Sequence, residues 1–545
     1  MRHWTAVVAA AAVLVAPLLV TSCSKKPAEQ LEYAVDGPMP SYNPNTVAGA
    51  ASGSPQALAR VLTGFGYHGP DGQIVADHDF GTVSVVGRDP LVLDYQIADP
   101  AVYSDGKPVT CDDMVLAWAA QAGRLPGFDA ASRAGYADIE SIDCATGQKK
   151  ARVTFFAGRG FTDYSQLFTA TSMMPSHVLA DLLGVDVTAA LQGDDAAVVG
   201  RIADAWNTVW DLKPGFNPRW FPSSGPYKLD AVNSDGSVVL VANDRWWATK
   251  PITNRITVWP RGTGVQDRLK NGSVDVVDVA TGSVAGLQVP DSYKRSDTAS
   301  AGIQQLIFSG QGPLAAPAAR RAVASCTPRD AIARDAGVPI SNARLNPAND
   351  DAQGAAENAA ANNQYVAANA DAARSAVNNT PLTVRIGYQA PNARLNAVVA
   401  AIAKACAPAG ITVQDASSEN TGPQTLQANQ IDVLLASTGG ATGSGSSGSS
   451  AVDAFDLHTG NGNNLSGYSN PQVDGIIDKL AMTTDPKEVA GLLGDGAGVL
   501  WNDMPTLPLY RQQRTLIWSK KMSSLSSNPT RWGAGWNMDR WVLRE

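Results

Sequence analysis

Residues Ser223 to Trp259 read SSGPYKLDAVNSDGSVVLVANDRWWATKPITNRITVW. Within them, Val238-Val239-Leu240-Val241 and Ile256-Thr257-Val258-Trp259 are short β-branched runs beside turn residues, the pattern of strands. Further along, Leu382 to Ile386 and Ile431 to Leu435 have the same character. Between Leu382–Ile386 and a third short run, Ile411–Val413, Arg394 to Cys406 places apolar residues at helical spacing, and Pro408 stops it. Strand, helix and strand in that order predict a βαβ unit. Arg320 to Arg334 reads as another helix, broken or restarted at Pro328 because proline has no N–H to give. These patterns place the chain in the α/β class, with several additional β segments.

At the other end, Met1-Arg2-His3 is followed by an apolar run from Ala6 to Val20. That run is shorter than the roughly 18 residues a membrane-spanning helix needs, and it suits the apolar core of a secretory signal. It leads into Val20-Thr21-Ser22-Cys23, which resembles a bacterial lipobox, so residues 1–22 are expected to be removed and Cys23 acylated. A plain signal peptide with a chance cysteine, or an N-terminal membrane helix, are the competing readings. More than one acyl chain is needed for firm anchoring. Residues 23–30, with the polar run Ser24 to Gln30, then form a tether.

The full sequence has 545 residues, and what remains after removal of residues 1–22 is too long for one core and predicts two or three domains. A net charge of −8 argues against nucleic acid, which calls for clustered Lys and Arg. After Cys23 there remain Cys111, Cys144, Cys326 and Cys406. In an oxidising compartment an even number favours two disulfides, and four cysteines allow three pairings. Cys111–Cys144 and Cys326–Cys406 are preferred because each pair falls inside one expected domain; buried free thiols are the alternative. No C-x-x-C spacing supports a zinc or thioredoxin-like site.

Two internal stretches depart from globular composition. Asn346 to Ala373 is rich in Ala, Asn and Asp and reads as a loop followed by a polar helix, best at Ala367 to Val377. Ser437 to Ser450, STGGATGSGSSGSS, carries no charge and reads either as a flexible linker or as a loop lining a cleft at the end of a strand.

Catalytic chemistry has little to build on. His68, His78, His177 and His458 show no H-x-x-H or H-E-x-x-H spacing. His458 lies near Asp453 and Asp456, where a polar surface loop is the plainer account than a metal or acid–base pair. Gly445-Ser446-Ser447-Gly448 falls one residue short of G-x-S-x-G, and no lysine follows to make a phosphate loop. Trp532, Trp536 and Trp541, with Arg531 and Arg540, could wall a pocket, although closing a core between the tail and its lobe is the commoner role. No catalytic residue, metal ligand or cofactor is expected.

Several short motifs then fall into one order. Tyr33 to Asn45 (YAVDGPMPSYNPN), Arg60 to Asp77, Val102 to Asp113 (VYSDGKPVTCDD), Ser224 to Leu229 (SGPYKL), and Asn243 to Trp247 before Lys250-Pro251-Ile252 come first. Gly272 to Val276, Pro313 to Ala324, Tyr468 to Asp474 (YSNPQVD) and Met504 to Tyr510 (MPTLPLY) follow. In this order they resemble the family 5 extracellular solute-binding lipoproteins of ABC transporters, the oligopeptide- and dipeptide-binding type, and suggest an actinobacterial member. The resemblance implies a two-lobe periplasmic-binding-protein-like α/β fold with an extra inserted domain. Lobe I would take 31–59, 191–269 and 501–545, the inserted domain 60–190, and the other lobe 270–500. Thr110 would cap the helix after the Asp105-Gly106 turn, and Trp246 and Trp247 would be structural.

By position in the family pattern, Tyr42, Asn43, Ser437, Thr438, Gly439, Gly440 and Tyr510 would touch ligand. The expected function is capture of a peptide or peptide-like ligand by a monomer, lipid-anchored on the outer face of the cell membrane, for delivery to ABC permease subunits. The family's peptide binders carry, in the stretch corresponding to Ser437–Ser450, an aspartate for the ligand's α-amino group; this chain has none there. Asp453 or Asp456 could replace it, or the ligand could be capped, cyclic or lipidic. The alternatives are a cell-envelope scaffold or regulator binding a lipid, glycolipid or haem, and a hydrolase using the Ser-rich loop.

Overall fold

The computed structural model describes residues 28–193, 195–262, 264–284, 286–347 and 352–544. The expected signal peptide, the acylated Cys23 and most of the tether lie outside the described residues. No helix among those described is long and apolar enough to cross a membrane.

A single ten-stranded sheet organises most of the chain. Its strands are β1 (Gln30–Val35), β2 (Tyr227–Val232), β3 (Val238–Ala242), β4 (Arg255–Trp259), β5 (Val276–Ala280), β6 (Tyr293–Phe308), β7 (Leu382–Gly387), β8 (Ile411–Asp415), β9 (Val433–Ala436) and β10 (Thr506–Ser519). They lie in the order β8-β7-β9-β6-β10-β5-β1-β4-β3-β2. β1 pairs in parallel with β4 and β5, and β7 with β8 and β9; the remaining neighbours are antiparallel. Every residue of β5, VVDVA, is buried, as expected of a strand covered on both faces, and its one charged residue, Asp278, is paired with Arg514 at 2.7 Å.

β6 and β10 are the longest strands and lie side by side at the centre of the sheet. They pair from Tyr293↔Ser519 to Ile307↔Thr506, with register shifts between Ala299 and Ile303 and between Gln304 and Gln305. Bulges of this kind bend and twist the strand that carries them.

Around β7–β9 the expected βαβ unit is present: Leu382 lies opposite Ile411, and the connecting helix spans Ala393–Cys406. Asn392 caps that helix by accepting from Leu395 N at 3.1 Å, and Leu395, Val398, Val399, Ile402 and Cys406 form its buried stripe. Pro328 separates two helices, Pro317–Cys326 and Arg329–Ala336. The Ala/Asn-rich stretch departs from expectation. It holds the helix Ala352–Ala361 as well as Ala370–Ala376, and the first is fixed by buried Glu357, which accepts from Arg344 N and Leu345 N at 2.9 Å.

A second, four-stranded antiparallel sheet joins Gly81–Arg88, Leu91–Ile97, Lys150–Phe155 and Ile139–Asp143, in that order across the sheet. The helix Cys111–Gln121 belongs to the same unit and starts at Thr110, whose N–H donates to Asp113 at 3.1 Å. Before it, Gly106 (φ 91°) makes the expected turn. Cys111 is joined to Cys144 and Cys326 to Cys406, the preferred pairing. Among the described residues the cluster Cys111, Asp112 and Cys144 has metal-like proximity, but its sulfurs are the disulfide and Asp112 accepts from Thr110, Thr188 and Gly147.

Candidate ligand cleft

The Gly/Ser stretch after β9 is packed, not loose. Ser437, Thr438, Ser444, Ser446, Ser447 and Ser449 are all buried. Burial of so many hydroxyls and amides is tolerable only if each finds a partner. Ser437 Oγ donates to Ser444 O at 2.9 Å, Thr438 Oγ1 accepts from Ile303 N at 3.1 Å, and Ser444 Oγ donates to Pro529 O at 2.7 Å while accepting from Ser300 Oγ at 2.8 Å. Ser446 Oγ donates to Asp453 at 2.5 Å, and Ser447 N to the same carboxylate at 2.8 Å. Glycine is required where the loop folds back on itself: at Gly445 (φ 64°) an added Cβ would stand 1.8 Å from Thr438 O. The loop is thereby stitched to the central strands and to the C-terminal tail.

Beyond Ser447 lies a cavity of about 60 Å³. Asn45, Arg531 and Trp532 contribute to it from the segments flanking the large sheet, and His68, Gln121, Tyr136 and Thr171 from the first 180 residues. The loop closes it with Ser447. Widely separated segments thus meet at one concave space, the usual setting for a small-molecule site. Thr171 holds φ at 72°, outside the range a β-branched residue normally adopts. Trp532 carries the His68 imidazole stacked at 3.4 Å between centroids, and the Arg531 guanidinium lies 4.6 Å from the Trp532 centroid. Burial, and then the Arg531 charge, push His68 down to about 3, so its ring stays neutral near pH 7. Burial also lowers Arg531, opposed by Asp453 and Asp456, while burial raises both carboxyls.

A smaller cavity of about 20 Å³ lies under Thr438 and Gly439, beside Arg344, Asp456, Asn463 and Thr506. Arg344 Nη1, Asn463 Oδ1 and Thr506 Oγ1 lack partners there, and the space suits about one buried water.

The other residues expected to touch ligand are placed differently. Tyr42 is buried, with its hydroxyl 2.9 Å from Pro222 O and 3.0 Å from Ser223 Oγ. Asn43 Oδ1 accepts from Asn45 N at 3.1 Å and Nδ2 at 2.9 Å, so it orients a cavity residue without lining the cavity. Gly440 packs against Leu465, and Tyr510 lies in the core of the β7–β9 region. Of the tail tryptophans, Trp532 walls the cavity, whereas Trp541 is fully buried edge-on against Tyr33 at 5.0 Å.

The parts around the cleft are also locked together directly. Arg159 bonds Asp138 at 2.7 Å and Asp478 at 2.6 Å, and Thr162 N donates to Ala481 O at 2.9 Å. Asn463 N donates to Ala131 O and Arg133 N to Asn461 Oδ1, both at 2.8 Å. His458 is not a mere surface residue; its Nε2 stands 3.4 Å from Asp478. The Ser-rich loop offers no nucleophile, since Ser444, Ser446 and Ser447 donate to Pro529 O, Asp453 and Ser449 O and none to a histidine.

Comparison with known proteins agrees with this architecture. Residues 83–459 match the model of the bacterial extracellular solute-binding proteins, family 5. The chain is 65% identical over 536 residues to an uncharacterised lipoprotein of Mycobacterium tuberculosis, covering 98% of this chain and 96% of the relative. It is 63% identical to one from Mycobacterium leprae, covering 99% and 98%. The periplasmic EDTA-binding protein EppA superposes with a TM-score of 0.73 at 20% identity, covering 98% of this chain and all of the other. The oligopeptide-binding protein AppA of Bacillus subtilis gives 0.72 at 13%, covering 95% and 100%, and the murein tripeptide binding protein MppA of Escherichia coli 0.70 at 15%, covering 96% and 99%. The fold is therefore the three-domain periplasmic-binding-protein type, and the lipoprotein relatives place the chain outside the cytoplasm, held by lipid. The chain belongs to the bacterial extracellular solute-binding proteins of family 5, a family of binding proteins and not of enzymes.

Proposed function

We propose that the chain captures a peptide or peptide-like solute in the cavity behind Ser447 and delivers it to the permease of an ABC importer. The observation that carries this reading is the partly open cavity, walled jointly by the N-terminal segments, the C-terminal tail and the loop after β9. Walls drawn from segments so far apart in the chain fit a hinge closure biased by ligand. The names of structural neighbours support the solute class: AppA holds a nonapeptide, and MppA is a murein tripeptide binder.

On this reading lobe I comprises 31–59, 191–269 and 501–545, with 60–190 inserted and 270–500 closing over it. Asn43 and Ser437 to Gly440 then act as supports, one orienting Asn45 and the others seating the loop that brings Ser447 to the wall. Tyr42 and Tyr510 stiffen the two sides.

The test is native mass spectrometry of the chain starting after Cys23, purified without denaturant and then titrated with tri-alanine and with a mixed tripeptide library. A bound species that fragments as a peptide, or enrichment of tripeptides, is expected. A lipid, glycolipid or porphyrin mass with no peptide binding would sink the peptide reading and favour an envelope role.

A further inference from the structure

The donors on the wall of the cavity are mostly committed. Gln121 Nε2 donates to Ala117 O at 3.2 Å, Ser172 Oγ to Thr169 O at 2.7 Å, and Asn45 Nδ2 to Asn43 and Thr171 O. Arg531 differs. Its backbone N–H is fixed on Ser446 O at 3.0 Å, yet its guanidinium makes no hydrogen bond and has no carboxylate within 4 Å among the described residues. The side chain is half-buried, and with no hydrogen bond to protein its five donors are available to a ligand in the cavity. Asp453 is near enough to moderate the charge, but its own oxygens are taken by Ser446 Oγ and Ser447 N.

We propose that Arg531 is the anchor of an anion subsite in this cavity, one that takes the carboxylate of a small ligand. The inference rests on the capture reading for its cleft and adds the chemical class of what is captured. Carboxylate fits better than phosphate for two reasons. The guanidinium edge matches a planar carboxylate in a two-bond fork. Among the described residues only one cation faces the space, with two acids behind it, so a dianion would stay uncompensated. Trp532 fixes the plane of the guanidinium, and the His68 imidazole stacked on Trp532 adds no second charge. A space of about 60 Å³ has room for a small group such as a carboxylate.

The experiment is calorimetric titration of the soluble full-length mature chain with two matched pairs. The first is tri-alanine and its C-terminal amide; the second is 3-phenylpropionate and 3-phenylpropionamide. In at least one pair the acid is expected to bind roughly 10- to 100-fold tighter than the amide, the worth of a hydrogen bond to a charged group. In Arg531→Gln that preference disappears, and in Arg531→Lys it returns in part. Preference in the phenylpropionate pair, with neither tri-alanine nor its amide bound, supports the anion subsite while removing the peptide reading. Equal binding of tri-alanine and its amide, with no preference in the phenylpropionate pair either, retains peptide capture and overturns the anion subsite. So does failure of both acids to bind the wild-type chain, a result that needs no variant to fold.

Discussion

Removing Arg159 should loosen the closed form more than removing either acid it holds. The guanidinium bonds Asp138 and Asp478 at once, joining the four-stranded unit to the helix Pro471–Met482. The Asp138 side chain is 5% exposed and that of Asp478 22%, but the Arg159 side chain is 37% exposed. Two unit charges at about 4 Å attract by about 4 kcal/mol at an effective dielectric of 20, and water at the exposed arginine reduces this to about 1–2 kcal/mol per pair. Arg159→Ala also strands the buried Asp138 carboxylate without its cation, so its total cost should be about 2–3 kcal/mol. Asp478→Asn, which leaves the Asp138 pair intact, should cost about 1 kcal/mol. Unfolding entropy is about 2 cal/mol/K per residue, so in a chain of this length melting as one unit 1 kcal/mol is about 1 °C. Calorimetry of both single variants and the double variant would measure the coupling, expected near 1 kcal/mol. X-ray scattering should show a larger radius of gyration for Arg159→Ala. A melting point within 0.5 °C of wild type (about 0.5 kcal/mol on that scale), with unchanged scattering, would refute the idea that this contact holds the parts closed.

Other expectations are narrower. Burial opposes charge on His458, but its bonds to Asp478 and Thr459 O outweigh it and raise its pKa, so that contribution is complete below about pH 6.5 and fades as pH rises through the raised value. Burial likewise opposes charge on Asp478, but His458 and Arg159 prevail and lower it, so its share is present above about pH 3.9 and lost as pH falls through the lowered value. The contact should therefore be firmest between about pH 4 and 6.5, and a melting difference between pH 5.5 and pH 8 should shrink in His458→Gln. Gly445→Ala, with its Cβ driven against Thr438 O, should open the loop and expose residues 437–450 to hydrogen exchange; unchanged protection would contradict the packed loop. Ser446→Ala should cost about 1–3 kcal/mol by leaving part of the buried Asp453 carboxylate unpaired, read from calorimetry. Reducing the disulfides should lower stability by about 4 kcal/mol each, slightly more for Cys326–Cys406, whose separation is 80 residues against 33.

What could be read from the chain was what local chemistry dictates. Leu382–Ile386, the helix to Cys406 and Ile411 carry their own periodicity, Pro328 interrupts its helix by geometry, and Thr110 caps by composition. The family resemblance supplied the rest of the architecture. The loop from Ser437 to Ser450 was ambiguous because the partners that order it, Ser300, Ile303, Asp453 and Pro529, lie partly more than 80 residues away. The helix Ala352–Ala361 was missed because an Ala/Asn-rich face shows almost no hydrophobic stripe. The cavity was the least legible. Its wall draws on residues from Asn45 to Trp532, and only the clustering of Trp532 with Arg531 hinted at it.

The placement of β1 bears on how the chain is made. Its partners, β4 and β5, lie more than 200 residues downstream, and β5 in turn leans on β10 near the C-terminus. Such non-local pairing gives a high contact order, for which loop-closure entropy must be spent before contacts repay it. The sheet cannot be completed until β10 has emerged, so a chain exported in the unfolded state must pass through a long interval with apolar strands unpaired. Over that interval the βαβ unit around β7, whose contacts are local, is the part able to form first. The other segments depend on slow late assembly, when aggregation and proteolysis compete with folding.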